Sequence, residues 1–421
     1  MRFGAGMGVC LVAVVCLLVF SSGQLFAAGF GIYEWSARGN ALGGTLVGRA
    51  DDASAVAYNP AGMTQLNGTQ AMAGLSAIAP QVDVVTKNGG KSETTAGEDN
   101  IWLPPHAYLT TQLGERYWLG VGVFSRFGLG TEYSDSWPGR YNTTYAGIQS
   151  VSVNPNLGIK LTDDLSFAVG VEAMWFEFTQ EKYIEGRRLG GSDFKAKLKG
   201  DSVGYGFNAA VHYAPVDWLK MGVVYRSEVS QSVEGNADFA VSKQPATVKA
   251  YFPDDCGAHG DITLPDSWTL GIVVRPLDNL SIEADAVRTG WSSYNELKMH
   301  YDKPVRGSKI SSTPKDWNDT WRLQFGVEYS VNDMWDLRAS YIYDESPIPD
   351  KTVDYMVPAN DRQLYGVGTG LHWDSWTVDL SYTYLTIKDR DVDARPGDYI
   401  YEGEFKNGYS HIAGLSVGYK F

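Results

Sequence analysis

Residues 28–66 read AGFGIYEWSARGNALGGTLVGRADDASAVAYNPAGMTQL and differ in pattern from the chain that follows them. The stretch is rich in Ala and Gly and shows no alternation of apolar and polar residues. Residues 67–421, in contrast, alternate through most of their length. A compact segment without strand pattern, placed ahead of a long series of strands, predicts a plug inside a β-barrel.

The N-terminus has the pattern of a secretory signal peptide. Arg2 supplies the positive charge, residues 9–20 form a short apolar stretch, and Ala27 with Ala28 offers small residues for cleavage. We therefore predict a signal peptide over 1–27 and a mature chain that begins at Ala28. An uncleaved anchor is the alternative, although the apolar stretch is short for a membrane-spanning helix. Cys256 is the one cysteine after residue 27, so the sequence predicts no disulfide within the mature chain.

The composition narrows the class of protein. The mean hydropathy is −0.22, which suits a soluble protein but also a barrel whose lipid-facing and lumen-facing residues alternate. Aromatic residues make up 13% of the chain, in keeping with the aromatic girdles of membrane barrels. The net charge of −14 argues against a nucleic acid partner, because phosphates require Lys and Arg.

The C-terminal residues show the clearest strand. Ala413, Leu415, Val417, Tyr419 and Phe421 share one face, and small or polar residues share the other. The segments 321–329 and 335–344 separate their faces in the same way. A soluble β-sandwich would also show this alternation, so the strands alone leave that alternative open.

The lengths of the connections favour the barrel. We count 14 candidate strands, joined alternately by short turns and by long polar stretches, which is the pattern of outer-membrane barrels. A closed barrel also gives every backbone N–H and C=O in the lipid a hydrogen-bond partner, because it leaves no open sheet edge. The predicted long loops are 86–100, 130–147, 233–261, 299–315, 346–360 and 389–407.

Several motifs resemble those of one family. The chain resembles the FadL/TodX-type outer-membrane transporters of long-chain fatty acids and other hydrophobic compounds. The resemblance extends over the whole mature chain and implies a signal peptide at 1–27, a hatch (plug) of short helices at 28–66 and a barrel of about 14 strands at 67–421. The segments that carry it are Ala28-Gly29-Phe30, Asp51-Asp52-Ala53, Asn59-Pro60-Ala61, 264–268, Trp291-Ser292, Leu297-Lys298, 319–322, Arg338, 344–349, Pro358 and Asp361-Arg362.

The resemblance also implies a transport route. Ligand would bind in a pocket in the lumen that includes Phe30, the hatch would rearrange, and the ligand would leave sideways through a gap in the wall. Asn59, Pro60 and Ala61 would lie in the hatch beside this gap. Ordinary packing of Phe30 within the plug, and a simple turn at 59–61, are the alternatives.

The gap is expected at an inward kink of the third strand. Gly120 and Gly122 fall on the lumen side of that strand, and glycine within a strand often marks a bend. They are therefore our candidates for the kink, although glycine is common throughout this chain.

Two cations are candidates to bind a carboxylate in the lumen. Strand parity turns Arg322 and Arg338 inward, and both fall in family-like segments. Acidic residues such as Glu328 and Asp336 share the inner face, so an internal ion-pair network is the alternative.

We expect passive uptake of long-chain fatty acids or other hydrophobic molecules across the outer membrane of a Gram-negative bacterium. Uptake of aromatic hydrocarbons, or a structural or adhesin barrel, remain alternatives. No GxSxG elbow at a strand-to-helix turn, no HExxH motif and no complete calcium or zinc pattern is found, so we expect no enzyme activity, no cofactor and no metal. The expected partners are the hydrophobic ligand and outer-membrane lipid, and the chain is expected to be a monomer.

Overall fold

The computed structural model describes residues 29–421. The predicted signal peptide 1–27 and Ala28 lie outside the described residues. The described chain folds into one closed antiparallel sheet with a few short helices. None of these helices is long and apolar enough to cross a bilayer. The three α-helices are α1 Ala37–Ala41, α2 Ala55–Tyr58 and α3 Ala246–Lys249, and 3-10 turns span Pro60–Gln65, Arg187–Leu189, Trp291–Ser293 and Pro396–Asp398.

The sheet contains 21 strand segments in chain order. They are β1 Thr69–Asn88, β2 Lys91–Ala96, β3 Pro105–Gln112, β4 Tyr117–Phe124, β5 Gly128–Glu132, β6 Tyr145–Lys160, β7 Leu165–Ile184, β8 Phe194–Val216, β9 Leu219–Arg226, β10 Val229–Phe239, β11 Asp255–Leu264, β12 Ser267–Leu277, β13 Leu280–Thr289, β14 Glu296–Val305, β15 Ser308–Pro314, β16 Thr320–Asn332, β17 Trp335–Asp344, β18 Arg362–Trp373, β19 Trp376–Ile387, β20 Arg390–Val392 and β21 Glu402–Lys420.

These segments form 14 wall strands. Seven segments cross the wall alone, namely β1, β6, β7, β8, β17, β18 and β21. The other seven wall strands each consist of two consecutive segments, β2/β3, β4/β5, β9/β10, β11/β12, β13/β14, β15/β16 and β19/β20. β21 pairs with β1 from Gln70↔Lys420 to Lys87↔Glu402, which closes the barrel. The predicted barrel of 14 strands is confirmed.

The predicted faces of the regular strands are also confirmed. On β16 the apolar residues Trp321, Leu323 and Phe325 point outward and are 41–52% exposed, while Gln324 and Glu328 point inward and are buried. An outer surface of large apolar side chains is stable only against lipid, because in water it would leave a continuous apolar band exposed to solvent. The alternation therefore places this surface in the membrane and the polar face in the lumen.

Four of the predicted long loops are wrong in part, because strands continue into them. Most of β10 and β11 lies within 233–261, and most of the β14/β15 hairpin lies within 299–315. β2 lies within 86–100, and β20 with the start of β21 lies within 389–407. These segments extend the wall beyond the apolar band, where the outward residues are polar, as with Ser230, Ser232 and Glu234 on β10. A strand that faces water on its outer side does not need the apolar alternation that revealed the other strands.

The segment 29–66 lies inside the barrel. Its backbone and side chains bond to wall strands around the whole ring: Ala37 to Ser416 on β21, Asn40 to Ser76 on β1, Gly48 to Glu283 on β13, and Thr64 to Ser166 on β7. Only a segment within the lumen can reach strands so far apart around a closed ring. α1 is short because Gly43 and Gly44, which have positive φ, follow its C-cap residue Leu42.

Candidate functional site

An aromatic cluster surrounds Phe30, just inside the wall. The ring centroid of Phe30 lies 4.7 Å from that of Trp291, 5.4 Å from Trp317, 5.7 Å from Tyr294 and 6.1 Å from Phe127. Phe30 is 1% exposed. Edge-to-face contacts of this kind add to the gain from burying the rings. The structure thus places Phe30 where the sequence predicted, among apolar groups, whereas its role in binding ligand stays a prediction.

The aromatic cluster belongs to a larger apolar region in the half of the lumen that faces the long loops, which we call the apolar chamber. Its walls come from β1, β5 to β7, β10, β11, β20, β21 and the long loops. Its members include Leu129, Tyr133, Trp137, Met174, Phe176, Val229, Leu264, Ile348 and Tyr355. Sequence analysis missed Tyr294 and Trp317, because both lie in loops where no periodicity marks them.

One ion pair lies beside this chamber. Lys315 Nζ lies 2.5 Å from the Asp354 carboxylate, and both side chains are buried. Burial alone would lower the pKa of the Lys315 ammonium, but the adjacent Asp354 carboxylate outweighs burial and raises that pKa. Burial raises the pKa of the neighbouring Tyr294 hydroxyl. Lys315 and Tyr294 therefore remain protonated at neutral pH, and the Lys315 charge is already neutralised by Asp354.

A cavity of about 80 Å³ lies between the segment 29–66 and the wall. Arg322, Tyr33 and Trp291 are among the residues that line it. The Arg322 guanidinium lies 3.8 Å from the centroid of the Tyr33 ring, and its buried Nε has no hydrogen-bond partner among residues 29–421. The Nε–H of Arg322 could thus donate a hydrogen bond to a carboxylate. The role of Arg322 in binding a ligand stays a prediction.

Arg338, the second predicted cation, lies in a different environment. Its three nitrogens contact Glu328 at 2.6 Å, Asp379 at 2.5 Å and Asp336 at 3.3 Å, and its side chain is fully buried. A guanidinium with this many carboxylates has little capacity left for a ligand. The geometry favours the alternative of an internal network, and a ligand role for Arg338 stays a prediction.

The network continues into the segment 29–66, which sequence analysis did not anticipate. Arg38 contacts Glu328 at 2.9 Å and Asp51 at 2.7 Å, and Arg49 contacts Glu328 at 3.1 Å and Glu283 at 3.2 Å. Glu328 therefore joins one arginine of the wall to two arginines of the internal segment. We call Arg38, Arg49, Glu283, Glu328, Asp336, Arg338 and Asp379 the charge network; it occupies the half of the lumen near the short turns.

The motif Asn59-Pro60-Ala61 fixes the internal segment to the wall. The Asn59 amide donates to the carbonyls of Val47 at 2.7 Å and Val211 at 3.1 Å, and its oxygen accepts from the Ala61 backbone N–H. Pro60 begins the 3-10 turn that ends at Gln65. These residues lie against β7 to β9, whereas Val56 and Met63 are the ones that contact Gly120 and Gly122 on β4.

The third wall strand is broken between β4 and β5. Gly120 and Gly122 pair with β3 on one side and with β6 on the other, and a kink at these glycines stays a prediction. The break covers Ser125–Phe127, between β4 and β5. There the Ser150 hydroxyl accepts from the Phe127 N–H at 3.0 Å and donates to the Phe127 carbonyl at 2.7 Å, in place of ladder pairing.

Beyond this break the ladder between the second and third wall strands is interrupted, and we call this unpaired stretch the opening. Pairing of β4 with β3 ends at Ala107↔Val123, and β5 forms a ladder only with β6. The two wall strands meet again where the Glu98 N–H donates to the Glu132 carbonyl at 2.9 Å. The segment 29–32 fills the inner side, since Gly128 N–H donates to the Phe30 carbonyl and Ile32 N–H to the Arg126 carbonyl, both at 2.8 Å. Ile101 and Leu103 are exposed at the outer edge of this opening.

The family follows from comparison with known proteins. Residues 18–421 match the family described as "Outer membrane protein transport protein (OMPP1/FadL/TodX)". The chain belongs to this family. The resemblance found in the sequence is therefore confirmed, and the protein is a barrel of the Gram-negative outer membrane.

Among the relatives of this OMPP1/FadL/TodX chain are two long-chain fatty acid transport proteins. The one from Salmonella typhi is 26% identical, and the one from Escherichia coli K12 is 24% identical; in each case the match covers 97% of this chain and 98% of the relative. Two solved structures share the fold. A Pseudomonas aeruginosa FadL homologue has a TM-score of 0.84 at 20% identity, covering 93% of this chain and all of that one. The P. putida toluene transporter TodX has a TM-score of 0.72 at 19% identity, covering 92% and 99%.

Proposed function

We propose that this protein takes up long-chain fatty acids or other hydrophobic small molecules across the outer membrane, passively and without catalysis. Residues 28–66 act as the hatch, and the barrel 67–421 works as a monomer in contact with outer-membrane lipid. Family membership favours transport over a structural or adhesin role. The fatty acid transport named for the two relatives supports the class of ligand.

One observation carries the proposal. Phe30 has its ring in the apolar chamber and its backbone carbonyl bonded to Gly128, in the broken third wall strand. The same residue therefore joins the chamber that would hold the ligand to the opening through which it would leave. A ligand that displaces Phe30 from the chamber also withdraws the backbone that fills the opening.

The lateral direction follows from solvation. An apolar ligand gains roughly 25 cal/mol for each Å² of its surface withdrawn from water, so release into the bilayer is favoured over release into the periplasm. The charge network fills the other half of the lumen, where an alkyl chain would separate buried ion pairs. The path through the opening beside Phe127 avoids both costs.

A disulfide that joins the hatch to the third wall strand tests this mechanism. Gly31 and Phe127 form an isolated antiparallel bridge flanked by the two hydrogen bonds described above, a type of pair whose Cα atoms lie close enough for a disulfide. We expect Gly31→Cys with Phe127→Cys, in a Cys256→Ala background, to take up labelled oleate only after reduction.

The matched control is a disulfide within the wall. Thr69 and Thr111 lie opposite each other on β1 and β3, with hydroxyl oxygens 2.8 Å apart. Thr69→Cys with Thr111→Cys should transport oleate equally in the oxidised and reduced states. Equal uptake by the oxidised and reduced forms of the Gly31→Cys, Phe127→Cys protein, with the bond verified by mass spectrometry, would contradict hatch movement at this position.

A further inference from the structure

Two histidines meet on the outer face of the wall, in the part that extends beyond the apolar band. His259 on β11 and His300 on β14 lie directly opposite each other in the ladder. Their ring centroids are 5.1 Å apart, and the two rings are nearly parallel, with an interplanar angle of 9°. His259 is exposed and His300 is half-buried, so solutes can reach both rings. Two imidazoles on one face of neighbouring strands can bind a single metal ion together.

The two histidines belong to a row of metal-binding residue types that crosses four strands. Glu234 on β10 lies opposite His259, and Asp201 on β8 lies opposite Glu234. Residues directly opposite in an antiparallel pair have Cβ atoms about 4.5–5.5 Å apart. Both carboxylates are exposed on the outer face. The register therefore places two carboxylates and two imidazoles side by side, in the order Asp201, Glu234, His259, His300.

The carboxylates of this row are not neutralised by nearby cations. Lys199, two residues from Asp201 on β8, pairs instead with Glu177 at 3.0 Å. Within residues 29–421, no Lys, Arg or His nitrogen lies within 4 Å of a carboxylate oxygen of Asp201 or Glu234. Uncompensated negative charge beside the imidazoles raises the local concentration of divalent cations.

The donor set indicates which cations would bind. Imidazole nitrogens suit Zn²⁺, Cu²⁺ and Ni²⁺, whereas Mg²⁺ and Ca²⁺ prefer oxygen ligands. No group of three or more His, Cys, Asp or Glu residues is already arranged as a metal centre in the described part of the chain. The two imidazoles are thus the preformed part of the site, and a rotamer change of Glu234, with water, completes the four ligands that Zn²⁺ prefers.

We propose that His259 and His300 form a surface site for a divalent transition-metal ion, Zn²⁺, with Glu234 as the third protein ligand. Sequence analysis predicted no metal because these ligands come from three strands and form no motif. The site joins the β14/β15 hairpin to β11. The ladder between β11 and β14 consists of two residue pairs, Ala258↔Tyr301 and His259↔His300, so the metal adds a link where backbone pairing is short.

Calorimetric titration of the full-length protein in detergent micelles, with ZnCl₂ or MgCl₂ as the probe, tests the inference. We expect the unaltered protein to bind Zn²⁺ and His259→Asn or His300→Asn to weaken this binding at least tenfold, because loss of an outer-shell partner alone costs about 10–100-fold. Glu234→Gln should weaken it about threefold, since water can replace one oxygen ligand. Any heat from MgCl₂ should be the same in the unaltered protein and in the histidine variants, because Mg²⁺ does not use imidazole.

His411→Asn is the matched control. It removes an imidazole from the outer face of β21, where His411 contacts the Tyr382 hydroxyl at 2.7 Å and lies opposite no other histidine. Zn²⁺ affinity should be unchanged in this variant. Wild-type affinity in both His259→Asn and His300→Asn, an equal loss in His411→Asn, or no Zn²⁺ binding by the unaltered protein would overturn the site.

Hydrogen exchange is a second measurement that needs no variant. Zn²⁺ should slow exchange of the β14 amides by about threefold or more, because a link across the short ladder opposes local opening of the hairpin, and Mg²⁺ should not. Equal exchange in the two salts would overturn the joining of the hairpin to β11. These outcomes involve no hydrophobic ligand, so they leave the proposed uptake function unaffected.

Discussion

The two halves of the lumen differ in chemistry although the same wall strands enclose both. The half near the long loops holds the apolar chamber, with Phe30, Trp291 and Trp317 at its centre. The half near the short turns holds the charge network, in which Arg38, Arg49 and Arg338 all contact Glu328. The hatch contributes to both halves, through Phe30 in one and its two arginines in the other.

This difference suggests a division of roles. Buried ion pairs with several partners are directional and costly to separate, so the charge network fixes the lower part of the hatch to the wall. Apolar contacts have no preferred direction, so an alkyl chain can replace Phe30 in the chamber at small cost. The hatch is thus expected to move at its N-terminal end and to stay anchored at Arg38 and Arg49.

The largest expected effect comes from breaking the charge network. Arg338→Met leaves Glu328 and Asp379 buried with fewer cationic partners, and we expect the free energy of unfolding to fall by about 3–5 kcal/mol. Urea unfolding in detergent micelles measures it. Arg288→Met is the control, because the Arg288 side chain is 36% exposed and forms ion pairs with Asp266 and Asp319 near the surface. We expect this substitution to lower the free energy of unfolding by about 1 kcal/mol or less. Equal losses would show that the network does not anchor the hatch.

Removing the ring of Phe30 comes next. Phe30→Ala should weaken oleate binding about thirtyfold, because the cluster with Trp291, Tyr294 and Trp317 loses its central ring and no longer shapes the chamber. Calorimetric titration measures the affinity. Phe405→Ala is a suitable control, since Phe405 belongs to the same apolar chamber but contacts Tyr355 instead of the hatch. Unchanged affinity in Phe30→Ala would remove Phe30 from the binding site.

A smaller effect is expected at Arg322, which lines the cavity between the hatch and the wall. Arg322→Met should weaken oleate binding roughly threefold, because the Arg322 Nε has no partner among residues 29–421 and can donate to the oleate carboxylate. The effect is small because Tyr33 already stacks on the guanidinium. Arg322→Lys, which keeps the charge and loses the planar group, should recover part of the affinity. Wild-type affinity in Arg322→Met would assign this arginine to the architecture of the barrel.

The smallest effect is expected for polar solutes. The hatch and the charge network fill the lumen, so liposomes containing the protein should swell in arabinose at nearly the rate of empty liposomes. Rapid swelling would mean that the lumen is open to water and that the two halves do not form a barrier.

Much of the wall could be predicted from the sequence, because lipid imposes apolar alternation on every strand that crosses it. Segments 321–329 and 413–421 show this alternation, and the structure places their apolar faces outward. The same physics explains the missed strands: β10 and β14 extend into water, where outward polar residues are stable and the alternation disappears. The family could also be predicted, because the order and spacing of the motifs along the mature chain match those of the family.

The candidate site was less predictable. Glycines suggested a kink at 120 and 122, but the break at 125–127 depends on the hydroxyl of Ser150, which is distant in sequence. Phe30 could be predicted because it lies in a family motif. Tyr294 and Trp317, which contact it, lie in loops where the sequence has no such pattern. Contacts between residues far apart in the chain leave no local pattern, so only the folded structure brings these groups together.

The central claim is that the ligand leaves sideways through the opening beside Phe127. Site-specific photocrosslinking of labelled oleate during uptake tests it most directly. A photoreactive side chain would replace Leu103 at the outer edge of the opening, Leu415 on a lipid face with complete pairing, or Asn279 in a short turn below the lumen. Lateral release predicts labelling at position 103 well above that at 415 or 279. Labelling at 279 without labelling at 103 would contradict it.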